Sequence, residues 1–248
     1  MKNSLCKKIK NREAVIAVVG LGYVGLPLCI RFSEENFKTI GLDIDKKKIK
    51  KLKNKSSYIT HISNNKIASI HKNGFFPTDN FSEVAISDVV IICVPTPLGP
   101  HNEPDLSFIK STLSQISPHL TQDTLLILES TTYPGTTEEE IIPFIQELGY
   151  EIGKDFFVGY SPEREDPGNK KFSTKNIPKI VSGYTERCLE TTRNLYSAIV
   201  DETVPVSMMR VAEMTKIFEN IHRAVNIGLV NELKIVSDKM GIDIYEVI

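Results

Sequence analysis

The sequence predicts an α/β protein with a doubly wound, mostly parallel sheet followed by a long α-helix. Three observations carry this expectation. Short apolar runs alternate with helix-like stretches from residue 14 to residue 206, the pattern of strands joined by crossover helices. The first run, Ala14-Val-Ile-Ala-Val-Val19, opens directly into glycines at 20, 22 and 25. The last stretch, Ser207 to Met240, contains no proline and keeps a helical apolar period.

The first element is the most informative. Gly20, Gly22 and Gly25 fall on G-x-G-x-x-G spacing after a strand-like run and before a plausible helix. Gly20 allows a tight turn, Gly22 lets a pyrophosphate approach the backbone, and Gly25 lets the helix pack closely on its strand. The amides of that helix N-terminus then face the phosphates. A second strand-like run, Lys38-Thr-Ile-Gly-Leu-Asp43, ends in a carboxylate about 20 residues beyond the glycines. Asp43 is placed to accept hydrogen bonds from both adenosine ribose hydroxyls and to repel a 2′-phosphate. The expected cofactor is NAD rather than NADP, on a Rossmann-type sheet.

The remaining elements follow in order. Lys46 to Lys55 reads as the solvated face of the second helix, with Lys48 close enough to Asp43 to reach the ribose edge. Residues 54–80 read as irregular, with a short helix near 64–72. Asp88 to Val94 is a central buried strand that breaks off at Pro95-Thr-Pro-Leu98. A helix is expected from Asp105, with Asp105 as its N-cap. Thr124 to Glu129 is another buried strand, followed by Ser130-Thr-Thr-Tyr-Pro-Gly-Thr136 and an acidic helix start at Glu138-Glu-Glu140. Phe156 to Tyr160 precedes Ser161-Pro-Glu-Arg-Glu-Asp-Pro-Gly168. Lys179 to Ser182, a helix from Glu186, and Thr203 to Val206 close the sheet. Ligands of such sheets lie beyond the carboxyl ends of the strands, so five motif-bearing loops are expected to face one crevice.

The terminal helix carries two stripes. Val211, Met214, Phe218, Ile221, Val225 and Leu229 form an apolar face, and Glu213, Lys216, Asn220 and Arg223 form a polar one opposite. The polar stripe fits an ordinary solvated face. A helix of roughly 30 residues spans some 45 Å, however, and such a helix can bridge two domains with one face lining the cleft between them.

Composition narrows the function classes. The 248 residues balance 30 Lys and Arg against 31 Asp and Glu, for a net charge of −1. Nothing there supports bulk binding to nucleic acid or to a membrane surface, and no apolar run reaches a membrane span. Met1 to Glu13 is basic and polar, with no apolar core of a secretory signal. Cys6, Cys29, Cys93 and Cys188 have no spacing typical of metal or redox motifs, so no metal is expected, and they fit a reduced, cytoplasmic protein.

With these segments placed, the chain resembles the nucleotide-sugar 6-dehydrogenases of the UDP-glucose/GDP-mannose dehydrogenase family. The resemblance rests on Val19 to Gly25, Val94-Pro-Thr-Pro97, Glu129 to Thr136, Ser161 to Gly168 and Ala212-Glu-Met-Thr-Lys-Ile-Phe-Glu-Asn220. Ser-Pro-Glu-Arg followed by Pro-Gly looks like the branch that oxidises UDP-N-acetylhexosamines, where the UDP-glucose branch tends to carry Pro-Glu-Phe. The family oxidises the sugar hydroxymethyl group to a carboxylate with two NAD, for polysaccharide biosynthesis, and uses a thiol as nucleophile.

The resemblance implies roles residue by residue. Lys216 stabilises charge on the reacting oxygen, Asn220 orients it, and Glu163 does acid/base or water-activating work. Lys216 and Asn220, with Arg164, Glu165 and Arg223, contact the UDP-sugar substrate. Tyr23, Val24, Asp43, Lys48, Thr96 and Thr132, beside the three glycines, contact NAD. Residues 1–205 are then the NAD-binding domain, and 206–248 the long helix and the start of a helical dimerisation domain, with a homodimer formed through the helix.

The family's nucleophilic cysteine lies in a glycine-rich loop after the long helix, before a second α/β domain for the nucleotide. The sequence ends at Ile248, so the resemblance implies the NAD-binding half, expected not to complete the oxidation alone. Two other classes compete: a non-catalytic NAD-binding and dimerisation module, and a hydroxyacid or hydroxyacyl-CoA type of dehydrogenase. The Glu163 and Lys216/Asn220 blocks argue against the last.

Overall fold

The computed structural model describes residues 4–101, 103–163 and 175–248. Within it one eight-stranded sheet runs β3-β2-β1-β4-β5-β6-β7-β8. In chain order the elements are α1 (Ser4–Asn11), β1 (Val15–Val19), α2 (Gly25–Glu34), β2 (Lys38–Leu42), α3 (Lys46–Lys53), α4 (Asn64–Lys72), β3 (Phe75–Thr78) and β4 (Val89–Ile92). Then come α5 (Ser107–Ile116), β5 (Thr124–Leu128), α6 (Ile142–Glu147), β6 (Phe156–Tyr160), β7 (Lys179–Gly183), α7 (Glu186–Tyr196), β8 (Thr203–Pro205), α8 (Met209–Met240) and α9 (Ile244–Val247). The first six strands pair parallel. β7 joins β6 antiparallel, and β8 pairs parallel with β7.

Strand alternation divides the core in two. Ile16 and Val18, Val89 and Ile91, Leu125 and Ile127 face one apolar layer with α1, α2, α4 and α7. Ala17 and Val19, Val90 and Ile92, Leu126 and Leu128 face the other, with α5, α6 and the first turns of α8. Both faces are covered, which explains why these strands read as continuous apolar runs rather than as alternating ones.

Four details depart from the sequence reading. Residues 75–78, expected to be irregular, form the edge strand β3, where Pro77 sits opposite Gly41; at an edge a proline's missing N–H costs no ladder bond on the outer side. The basic N-terminus forms α1, which docks on α7 through Leu5 and Ile9, both 1% exposed. Helix α5 starts at Ser107 with Leu106 as its N-cap residue; Asp105 lies one position earlier, and its Oδ1 accepts the Ser107 N–H at 2.8 Å. The acidic start at Glu138–Glu140 is a π-turn over Thr137–Ile141 that leads into α6.

A buried polar cluster ties the antiparallel strand to the parallel ones. Lys179, the first residue of β7, pairs with Glu129, the residue after β5, and donates to the Pro162 carbonyl at 3.2 Å. Tyr196 at the end of α7 donates to the other Glu129 oxygen at 2.5 Å. The two charged side chains are only 6% and 2% exposed. Burial pushes the Glu129 carboxyl above the usual carboxylate range, opposed by the Lys179 charge and its hydrogen bond.

Removing one member of such a pair leaves a buried charge without its counter-ion. Lys179→Met should destabilise the protein by about 3–5 kcal/mol near neutral pH. A carboxyl whose folded pKa is raised contributes most below its unfolded pKa and loses that contribution as pH rises through the folded value. The loss of Lys179 raises it further, so the cost should be smaller at pH 5 than at pH 8. Urea unfolding across that range tests this, and a pH-independent cost would contradict it. Glu129→Met/Lys179→Met should recover most of the stability.

Candidate functional site

The strand order reverses between β1 and β4, and the carboxyl ends of strands at such a switch point are where sheets of this kind take ligands. Gly20 leaves β1 with φ +95, and a Cβ on it would stand 2.5 Å from the Cys93 carbonyl oxygen. A Cβ on Gly25 would lie 1.9 Å from the Gly20 carbonyl oxygen, whereas nothing stands within 4 Å of the corresponding point on Gly22. Gly20 and Gly25 therefore make the turn and the helix approach, and Gly22 leaves open backbone toward the crevice. Helix α2 begins with no side-chain cap at Val24, so its N-terminal dipole faces the same space.

Asp43 stands just beyond β2, 6% exposed. Its Oδ2 accepts the Leu21 N–H at 2.9 Å and Lys48 Nζ at 2.8 Å, and its Oδ1 accepts the Asp45 N–H at 2.8 Å. The carboxylate is thus tied to the glycine turn and held beside it. Tyr58 donates to the Leu21 carbonyl at 2.5 Å and lies 6.0 Å beneath Lys48 Nζ. Exposed Tyr23 stacks on His61 with centroids 6.3 Å apart. Neither Tyr58 nor His61 was expected here, because residues 54–63 carry no periodic signal. A helix N-terminus over bare glycine backbone beside a fixed carboxylate fits the pyrophosphate and ribose of a dinucleotide.

The next loops complete the edge. Thr96 Oγ1 donates to the Thr131 carbonyl, and Ser130 Oγ donates to the Val94 carbonyl at 2.7 Å, so the loops after β4 and β5 are laced together. Thr132 is buried, and its hydroxyl makes no hydrogen bond of good geometry.

Beyond β6, Glu163 meets the long helix. Lys216 Nζ donates to the Glu163 carbonyl at 2.8 Å and to Glu163 Oε2 at 2.9 Å, with the two side chains 10% and 16% exposed. Arg164 and Glu165 lie outside the described residues. Asn220 and Arg223 continue the same side of α8 beyond Lys216 and are exposed.

The stripes of α8 therefore invert the simplest expectation. Met209, Ala212, Glu213 and Lys216 are its buried residues, while Val211, Met214, Phe218, Ile221, Val225 and Leu229 are exposed, Phe218 by 65%. The polar stripe begins as a wall against the sheet edge. Glu213, which spacing placed in the stripe without a role, is fully buried against the loop after β5.

The four cysteines occupy other positions. Burial pushes the thiols of Cys29 and Cys93 well up. Cys188 is buried under β6, accepting the Val158 N–H at 3.5 Å, and Cys6 contacts Thr191 and Asn194 of α7. Among the described residues no cluster of three or more His, Cys, Asp or Glu could hold a metal ion, and no helix is long and apolar enough to cross a membrane.

Comparison with known proteins agrees with this geometry. Residues 14–200 match the NAD binding domain of the UDP-glucose/GDP-mannose dehydrogenase family, and residues 210–248 match its central domain. Protein CapL of Staphylococcus aureus is 44% identical over 235 residues, 94% of this chain and 54% of CapL. The UDP-N-acetyl-D-glucosamine 6-dehydrogenase of Pseudomonas aeruginosa is 37% identical over 234 residues, 94% of this chain and 55% of that protein. The solved UDP-D-ManNAc dehydrogenase from Pyrococcus horikoshii superimposes with a TM-score of 0.88 at 33% identity, covering 94% of this chain and 56% of its own. The chain spans about half the length of the curated relatives it matches. It belongs to the UDP-glucose/GDP-mannose dehydrogenase family, and its residues 14–200 are the family's NAD-binding domain.

Proposed function

We propose that this chain is the NAD-binding half of a nucleotide-sugar 6-dehydrogenase that takes a UDP-N-acetylhexosamine and oxidises its hydroxymethyl group to a carboxylate. One observation carries the reading: Lys216, on the long helix after the sheet, reaches Glu163 just beyond the carboxyl end of β6. An ammonium and a carboxylate of one pair, at the carboxyl edge of a nucleotide-binding sheet, suit the removal of a proton and hydride from an alcohol. The names of the relatives support the sugar class.

In this reading the helix start after Gly22, Tyr23, Val24 and Gly25 holds the pyrophosphate, and Asp43 with Lys48 holds the adenosine ribose. Thr96 and Thr132 border the nicotinamide side. NAD supplies the hydride acceptor. Glu163 accepts the alcohol proton directly or through a water, Lys216 stabilises the charge that develops on the oxygen, and Asn220, about one turn on, orients it. Arg164, Glu165 and Arg223 take the substrate's polar groups. Residues 1–205 form the nucleotide domain, and 206–248 begin the helical one.

The reading extends to assembly. The exposed apolar stripe from Val211 to Leu229 packs against the same stripe of a second copy, since monomers seldom leave so long an apolar face in water. We place the protein in the cytoplasm, where its four unpaired thiols stay reduced.

Three measurements test these points. Calorimetric titration should give NAD binding and weaker NADP binding, and Asp43→Asn should narrow the ratio about tenfold, equivalent to about 1.4 kcal/mol; equal affinities in the unaltered protein would refute the ribose assignment. In the full-length polypeptide, NADH should form from UDP-N-acetylhexosamines in preference to UDP-glucose. There Lys216→Ala should lower kcat about 10²–10³-fold and Glu163→Gln about 10²–10⁴-fold, while a non-catalytic binding module would form no NADH with any sugar. Sedimentation at micromolar concentration should report a dimer that Phe218→Glu disrupts; a monomer in both cases would remove the helix interface.

A further inference from the structure

Glu213 is a charged residue of α8 with no solvent exposure, and all its described hydrogen bonds go to one loop. Its Oε2 accepts the Gly135 N–H at 2.5 Å, and its Oε1 accepts the Thr137 N–H at 2.9 Å and the Thr137 hydroxyl at 2.7 Å. The helical segment opening at Thr137 has no cap of its own, since Thr136 offers it no side-chain bond. Its first amide, that of Thr137, is satisfied by a carboxylate from 76 residues further along the chain. The same loop is fastened at its other end, through Ser130 and Thr131, to the loop after β4. Between the two fastenings lies buried Thr132, and Gly135, one of the groups bonded to Glu213, has φ +113.

Helix α8 thus touches the loops after β5 and β6 through successive turns of one face. Glu213 holds the loop after β5, and Lys216 holds Glu163 after β6. With Met209 and Ala212 they are its only buried positions, so the direction in which the remaining turns leave the domain depends on them.

We infer that Glu213 is a positioning residue that makes the order of the loop Ser130–Thr137 and the docking of α8 one event, so that NAD binding steadies the helix carrying Lys216 and Asn220. The inference rests on the reading that NAD borders this loop at Thr132. NAD bound there further steadies the loop in the arrangement that donates Gly135 and Thr137 to Glu213, and through those bonds it steadies the helix. The coupling is reciprocal: a docked helix tightens NAD by the factor by which NAD tightens the helix.

Hydrogen exchange of the protein with and without NAD, read by mass spectrometry, tests this beside NAD affinity. In the unaltered protein NAD should slow exchange in the first turns of α8, a segment that no proposed NAD contact touches. In Glu213→Ala that protection should vanish and NAD affinity should fall by about 5- to 10-fold. Glu213→Gln, which keeps one acceptor oxygen, should restore part of both. Thr137→Val removes only the hydroxyl bond; it should weaken both readouts in the same direction, and it decides the question if Glu213→Ala does not fold. NAD-induced protection of α8 that persists in the variants, or that never arises in the unaltered protein despite NAD binding, overturns the coupling. Absence of NAD binding to the unaltered protein would instead overturn the cofactor reading.

Discussion

Helix α2 can start directly over β1 only because Gly25 carries no side chain. A Cβ there would stand 1.9 Å from a backbone oxygen, and neither atom has a flexible end that could yield. Much of the site follows from this contact. The helix approaches its strand, its N-terminus opens at the carboxyl edge, and the Gly20 turn lies against the Cys93 carbonyl of the neighbouring strand. Asp43 then reaches the turn's Leu21 N–H, which fixes the carboxylate relative to the glycine turn.

The other half of the site is built from charge rather than from packing. Apolar burial ends on α8 within its first turns, and its hold on the sheet includes a carboxylate and an ammonium. Buried polar contacts are directional and costly to leave unmade, so they specify the helix's rotation more sharply than a stripe of leucines would. The Lys179–Glu129–Tyr196 cluster extends this from below, since Lys179 also holds the Pro162 carbonyl, one residue before Glu163. The backbone at Glu163 is held twice: the Pro162 carbonyl by a buried lysine, and the Glu163 carbonyl by Lys216.

What the sequence discloses follows from where the physics is local. The glycine turn, the buried parallel strands and the long helix are specified by neighbours within a few residues, and each stood where its spacing placed it. Edge strand β3 escaped because four residues containing a proline resemble a loop until a partner strand is present. Helix α1 escaped because two apolar residues in eight become meaningful only against α7. Of the candidate site, Asp43 and Lys48 were legible from distance along the chain. Glu163 and Lys216 came from a resemblance, and their contact, across 53 residues, is a product of the fold. Glu213 was visible only as a stripe position, since its partners are backbone amides that no side-chain pattern announces.

The thiols complete the chemical picture. A nucleophilic cysteine needs its thiolate stabilised by nearby positive charge or a helix N-terminus, and open access to the substrate. Cys93 comes nearest the crevice, yet burial and the Glu129 carboxylate push its thiol up, and the Lys179 charge does not offset them. Cys29 lies fully buried within α2. Cys188 serves the sheet by accepting a strand N–H, and Cys6 packs on α7 on the face of the sheet opposite α8. The four are placed as small packing residues. The charged pair that the fold sets at the carboxyl edge of the sheet is instead Lys216 with Glu163.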